Sequence, residues 1–388
     1  MTKTTSSSVV QTDDQPFRFF DNREKYLLFV TTTSEKAVIA ERIGRELDRL
    51  KPKPPALKLF DAGMGNGAVL SHVLRAMHAQ FPTVPFVVVG KEISMEDTRL
   101  CLETLPDRFS EHPQTVVVIS NLYYSEAPWL TPKSPTNRER LEWHDVPLTG
   151  TSAHDFSRQI AGLDEILQRG WQTKSSKKTG NPLYVIPSVL VLYRQDQAFA
   201  MDGLIPRKGA YSGNYDLVMA AQPYRSRMPA QFKVDKVLAP LARSLNIGGR
   251  MITIQSTGHD PGMEIIRKVW PDEEPFATPR HLLIKTLKET LNSGETQPFA
   301  FDGFSDNRSL FTYHMHALPD EIGSNIGTST LLAAWNAAIY VAQIEDDRLT
   351  DILQSGDYLE VTQSVLQRHG GLWFQDESFV VVRTDESS

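Results

Sequence analysis

The chemistry-bearing residues concentrate in one stretch, Asp61-Ala62-Gly63-Met64-Gly65-Asn66-Gly67, which ends the apolar run Leu57-Lys58-Leu59-Phe60. Gly63, Gly65 and Ala68 satisfy the spacing G-x-G-x-x-G/A, in which a strand turns into a helix whose N-terminus receives a pyrophosphate. Asp61 argues against that ligand. Two like charges about 4 Å apart repel by roughly 4 kcal/mol at an effective dielectric of about 20. An acid two residues before the first glycine therefore favours a cationic ligand. A second acid, Glu92, ends the apolar run Phe86–Lys91. That is the place where a ribose diol is held in a doubly wound sheet.

The pattern apolar-apolar-acid-x-Gly-x-Gly-x-Gly, here Leu59 through Gly67, resembles the first motif of the class I S-adenosylmethionine-dependent methyltransferases. S-adenosylmethionine carries a sulfonium and an ammonium and no phosphate, so the sign of Asp61 suits it. The resemblance implies a cofactor site made of Asp61, Ala62, Gly63, Met64 and Gly65, of Glu92 with its neighbour Ile93, of Asn121 and Leu122 after a third strand, and of Ala221 after a fourth. It covers local motifs in residues 56–122, 213–258 and the last strand.

The loop after the fourth strand, Ala221-Gln222-Pro223-Tyr224, faintly resembles the Asn/Asp-Pro-Pro-Tyr/Phe motif of amino-methyltransferases acting on nucleobases or glutamine. Alanine stands for the amide and glutamine for the first proline, which speaks against those substrates. Tyr224 remains a candidate to stack on the acceptor and Gln222 to contact it. Arg225 and Arg227 suit a carboxylate or phosphate. His259, past the fifth strand, is a candidate general base. His314 and His316 share one face of a strand and are expected to line the cleft or contact inserted helices; with no third ligand nearby, no metal site is expected. Tyr26 precedes the first helix and is a candidate contact from an N-terminal segment folded over the cofactor.

These residues need a scaffold, and hydrophobic patterning supplies one. Ile39, Ile43, Leu47 and Leu50 repeat at helical spacing over 34–50, as do Val69, Val73, Leu74 and Met77 over 68–80. Runs 86–92, 115–119, 215–221 and 251–255 read as buried strands, and 310–318 with 378–383 as a closing antiparallel pair. The expected fold is α/β: a Rossmann-like, seven-stranded, mostly parallel sheet with helices on both faces and a large insertion between the third and fourth strands. Residues 1–16 read as a flexible tail, 17–124 with 213–388 as the cofactor-binding domain, and 125–212 as an inserted subdomain. Almost 90 residues is far beyond the roughly 2–6 of an ordinary α/β loop. In that insertion 139–144 and 157–170 look helical, 174–180 reads as a polar basic turn, and 183–193 is strand-like with a break at Pro187. A lid or substrate cap and an arm for a homodimer are equally open. In a second insertion, 328–343 and 357–370 look helical.

The chain has 388 residues, a net charge of −6 and one cysteine. That charge supplies no general field for nucleic acid, and one cysteine fits a reducing compartment, with cytoplasm the expectation. No secretory signal or membrane-length apolar run is seen. The expectation is a methyltransferase transferring a methyl group to an N, O or C atom of a small molecule. The alternatives are a non-catalytic binder of the cofactor or its product and an amino-methyltransferase of protein or nucleic acid. An aminopropyltransferase would need acids after the fourth strand, and a nicotinamide dehydrogenase conflicts with Asp61.

Overall fold

The computed structural model describes residues 23–177, 180–292, 298–317, 319–323 and 326–385. The expected tail, residues 1–16, lies outside them, as do positions 178 and 179 of the basic turn. Helices α1 (Arg23–Thr32) and α2 (Glu35–Leu47) precede strand β1 (Leu57–Asp61), and α3 (Ala68–Gln80) and α4 (Met95–Glu103) follow β1 and β2 (Phe86–Lys91) on the way to β3 (Thr115–Ser120). The insertion contributes β4 (Glu142–Leu148), β5 (Thr173–Ser175), β6 (Pro182–Tyr184) and β7 (Ser188–Arg194). The chain then adds β8 (Tyr215–Ala221), β9 (Leu245–Ser256), β10 (Phe299–Asp302), β11 (Leu310–His314) and β12 (Trp373–Arg383).

Ten of these strands form one mixed, mostly parallel sheet, ordered β10-β12-β9-β8-β1-β2-β3-β7-β4, with β11 paired to β12. β2 and β3 are buried at every position, which is why they read as unbroken apolar runs rather than alternating ones. One face is covered by α2 and α3 through Ile39, Ile43, Leu70 and Val73. The other carries Leu238, Leu241, Leu283 and Leu287. A third cluster, with Phe29, Tyr313, Trp335, Ile339 and Phe374, joins the N-terminal helix α1 to the helix Thr328–Val341 of the second insertion. The order reverses between β1 and β8: the chain leaves β1 for β2 on one side and returns as β8 on the other. The crevice at such a switch point, outside the carboxyl ends of the strands, is where open α/β sheets bind ligands.

Two expectations are corrected. The sheet has ten strands rather than seven, because β7 adds antiparallel to the exposed edge of β3, β4 adds parallel to β7, and β10 adds beyond β12. Residues 139–144 were expected as helix, yet Glu142–Leu148 pair with Ser188–Arg194 along their whole length. Ladder hydrogen bonds to a neighbour distant in sequence outweigh a short local preference. Two strands of the first insertion thus widen the sheet, and it reaches the crevice through Ser125 and the small hairpin β5–β6.

Candidate cofactor and acceptor site

At the end of β1 the Asp61 carboxylate accepts the Gly63 N–H at 3.1 Å, which bends the chain out of the strand. Glu92, just past β2, accepts the Gly65 N–H at 2.9 Å on one oxygen and the N–H groups of Ile93 and Ser94 at 2.8 and 2.9 Å on the other. It staples the glycine turn to the neighbouring strand. A carboxylate offers about four acceptor positions, so about one is left for a ligand hydroxyl. Glycine is required nearby for close approach. A Cβ on Gly90 would lie 1.7 Å from Met64 Sδ, and one on Gly67, whose φ is +79°, would lie 2.8 Å from the Cys101 Cα. Tyr26 of α1 crosses the turn, its hydroxyl accepting the Asn66 N–H at 3.2 Å.

These residues open on a cavity of about 590 Å³ at the switch point, within the range usual for small-molecule sites. Its two ends differ in charge. Around the glycine turn the walls include Glu35, Asp61, Glu92, Glu96 and Asp97. Burial pushes the Asp61 carboxyl up to about 7, assisted by the Glu92 charge. Burial, then Glu92, does the same to Asp97, also to about 7. Lys36 is the cation of this end and is paired with Glu35 at 2.9 Å; burial opposes its charge, but Glu35 overrides that and its ammonium is raised. The far end is walled by Tyr124, Pro223, Tyr224, Met228, Phe232 and Val237, with Arg225 and Lys236.

Of the expected cofactor residues, Asp61, Gly63, Met64, Gly65, Glu92, Ile93 and Ala221 line this cavity. Ala62 and Leu122 are fully buried in the core beside it. Asn121 is spent elsewhere: its amide donates to the carbonyls of Gly170 and Ile186, both at 2.8 Å, and accepts the Ser188 N–H at 2.8 Å, tying the insertion to β3. Both amide N–H groups are used and Asn121 does not line the cavity, which the loop after β3 reaches through Tyr123, Tyr124 and Ser125 instead.

Tyr26, Gln222, Tyr224 and Arg225 line the cavity. The Tyr224 hydroxyl donates to Gln255 Oε1 at 2.9 Å, and burial pushes its pKa well up, so the ring is a wall and not a base. Gln222 has a left-handed φ of +49°. Its amide nitrogen donates to Ser256 Oγ at 3.0 Å and to Asp376 Oδ2 at 3.3 Å. Arg227 does not reach the cavity; it pairs with Glu273 and donates to the Ala342 carbonyl at 3.1 Å. His259 is exposed beyond β9 and outside the lining. His314 and His316 are likewise exposed, while Tyr313, between them and Phe311 in the alternation of the strand, turns inward to the cavity. Side-chain parity on a strand explains that correction.

Sequence reasoning missed several walls. Tyr340, Val341 and Gln343 come from the second insertion, Asn181, Pro182 and Leu183 from the β5–β6 hairpin, and Lys36 from α2. The ring of Tyr340 stacks on Phe29 at 4.5 Å and stands 6.0 Å from Tyr26, so α1 and the helix Thr328–Val341 pack together beside the glycine turn. No local pattern marks such contacts.

A ten-stranded, mostly parallel sheet with its switch point at an acid-led glycine turn is a Rossmann-like α/β fold. Solved structures that match it run across class I S-adenosylmethionine-dependent methyltransferases at low identity. A geranyl diphosphate methyltransferase, solved with geranyl diphosphate and sinefungin, is 13% identical, with 90% of this chain and 77% of that one covered and a TM-score of 0.34. A phosphoethanolamine N-methyltransferase 2 from Haemonchus contortus, solved with S-adenosyl-L-methionine, is 11% identical over 95% of this chain and 60% of that one, TM-score 0.33. The [4+2]-cyclase SpnF is 10% identical over 90% and 81%, TM-score 0.34. Likeness at this level carries nothing about substrate or chemistry. No protein-family model matches the chain, and no curated protein matches it. Among the described residues no helix is long and apolar enough to cross a membrane.

Proposed function

We propose that this chain is an S-adenosylmethionine-dependent methyltransferase acting on a small-molecule acceptor. One observation carries the reading: a single cavity at the switch point joins an acid-walled end at the glycine turn to an aromatic end at the loop after β8. In this reading Asp61 and Asp97 face the cofactor's positive charge, the glycine turn lets the backbone approach its amino-acid part, and Glu92 offers its remaining acceptor position to a ribose hydroxyl.

Transfer is an in-line displacement. A lone pair on an N, O or C atom of the acceptor attacks the methyl carbon, the carbon–sulfur bond breaks, S-adenosylhomocysteine leaves, and a proton from the acceptor passes to solvent. The protein's contribution is alignment and exclusion of water. Tyr224, Phe232 and Met228 supply the wall, and Tyr124, donating to the Pro223 carbonyl at 2.6 Å, holds the loop that carries it. The reading assigns no dedicated base.

Methyl-labelled S-adenosylmethionine incubated with the protein and a metabolite extract tests it. Label appearing in a small-molecule product, and absent with Asp61→Ala protein, is the expected result. Cofactor bound but never demethylated across extracts would make the chain a binder only.

A further inference from the structure

We propose that the methyl acceptor is an anion, a carboxylate or phosphate borne on an apolar or aromatic body, held by Lys91 and Lys236. This deepens the methyltransferase reading and rests on it. Lys91 is the last residue of β2, is only 9% exposed and lines the cavity. Its ammonium stands 4.7 Å from the centroid of the Tyr124 ring. Among the described residues it has no hydrogen bond and no ion pair. The neighbouring acid, Glu92, already serves three backbone N–H groups. One aromatic face offsets only part of the cost of desolvating an ammonium. Lys36, a half-buried cation of the cavity, has Glu35 at 2.9 Å. Burial lowers the Lys91 ammonium and the neighbouring Glu92 charge supports it, but no direct ion pair forms between them, and a ligand can supply one.

The second cation is placed by unusual backbone. After a short α-helical start, Ala230–Lys233, the chain forms a π-helix over Val234–Leu238. With i→i+5 bonding the turn is wider than in an α-helix, so residues four and five positions on lie either side of the starting direction. Phe232, Lys236 and Val237 therefore all face the cavity, whereas 3.6 residues per turn would swing position 237 well away from 232. Wide turns of this kind recur at functional sites. The result is a cation between two apolar groups in the lining of a cavity that Arg225 also lines.

From Tyr123 onward in the chain, the residues lining the cavity include Arg225 and Lys236 but no aspartate or glutamate. Behind that wall Asp376 is fully buried and bonded to Gln222, and burial pushes its carboxyl up to about 8; Glu377, also buried, acts on Tyr224 and Lys233 and is already paired with Arg280 at 3.1 Å. A cationic cofactor at the acid end and an anionic acceptor at the other would each meet opposite charge.

Calorimetric titration of protein loaded with S-adenosylhomocysteine tests this, using benzoate and phenyl phosphate as anionic probes and phenol and benzylamine as neutral and cationic ones. The expected result is binding of an anionic probe, weakened at least about tenfold by Lys236→Glu and by Lys91→Met, with S-adenosylhomocysteine affinity of the Lys236→Glu protein within about twofold of the original. The two anions report whether carboxylate or phosphate is preferred. Lys236 is exposed, so its variant carries the test should Lys91→Met fail to fold. Phenol or benzylamine binding as tightly as the anions, no anion binding at millimolar concentration, or insensitivity to Lys236→Glu would overturn the proposal. So would Lys91→Met weakening S-adenosylhomocysteine but not the anions, which would assign that lysine to the cofactor's carboxylate. The anion titrations repeated without S-adenosylhomocysteine separate a failure here from a failure to bind the cofactor at all.

Discussion

The two ends of the cavity are built by different means. The acid end is centred on residues 61–97, with Tyr26, Glu35 and Lys36 brought to it by α1 and α2; Asp61 at the end of β1 and Glu92 just past β2 both bind backbone N–H groups of the turn. The aromatic end gathers the loops after β3 and β8, a π-helix, a hairpin and a helix more than a hundred residues further on. The first end depends on a few hydrogen bonds made by named residues; the second depends on packing between elements far apart in the chain. A lesion at the first should therefore act on cofactor affinity, and a lesion at the second on the acceptor or on stability.

The largest expected effect is at Asp61. Replacement by alanine removes both the turn's hydrogen bond and the charge facing the cofactor, and S-adenosylmethionine affinity should fall at least about a hundredfold, or ~2.7 kcal/mol, by calorimetry. Glu92→Ala should follow with a loss of about tenfold, or ~1.4 kcal/mol, because the turn loses its staple while Asp61 remains; unchanged affinity would remove Glu92 from the site.

Acidity offers a third test. Asp61 and Asp97 both lie near 7 in the ligand-free protein, so a cationic ligand, which favours their ionised forms, should bind several-fold more weakly at pH 6 than at pH 7.5. The sign for stability is opposite. Carboxyls raised above their unfolded values bind more protons when folded, so their contribution to unfolding free energy rises as pH falls from about 7 toward about 4. A ligand-free melting temperature that tracks cofactor affinity with pH would break this account of the acid end.

Asn121→Ala sharpens the contrast between the ends. It leaves three buried hydrogen bonds unmade, so stability should drop by about 1–3 kcal/mol in denaturant titration, with S-adenosylmethionine affinity kept within about twofold. The smallest effect is expected at His314: exposed and outside the cavity, its alanine variant should change neither cofactor affinity nor turnover measurably.

The same contrast explains what was legible in the sequence. Asp61, the glycines and Glu92 could be read because one turn and one strand end place them, and α3 was bounded correctly at Ala68–Gln80 because its periodicity is local. Asn121 was visible as a residue after a strand, but nothing local says that its amide is consumed by Gly170, Ile186 and Ser188. Arg227 looked like an anion contact until Glu273, on a distant segment, claimed it. Tyr340 and Lys236 left no signal at all, since one depends on stacking between chain ends and the other on a helical turn wider than the usual period. His314 was misplaced by the choice of strand face, which a pattern of alternating residues leaves open unless one face is plainly apolar.

The central claim is that the acid-led turn selects a cation over a pyrophosphate. Calorimetric titration of the unaltered protein with S-adenosylmethionine, S-adenosylhomocysteine and NAD tests it most directly. The account predicts micromolar binding of the first two and none of the third; binding of NAD alone would contradict the charge argument and make the cavity a dinucleotide site.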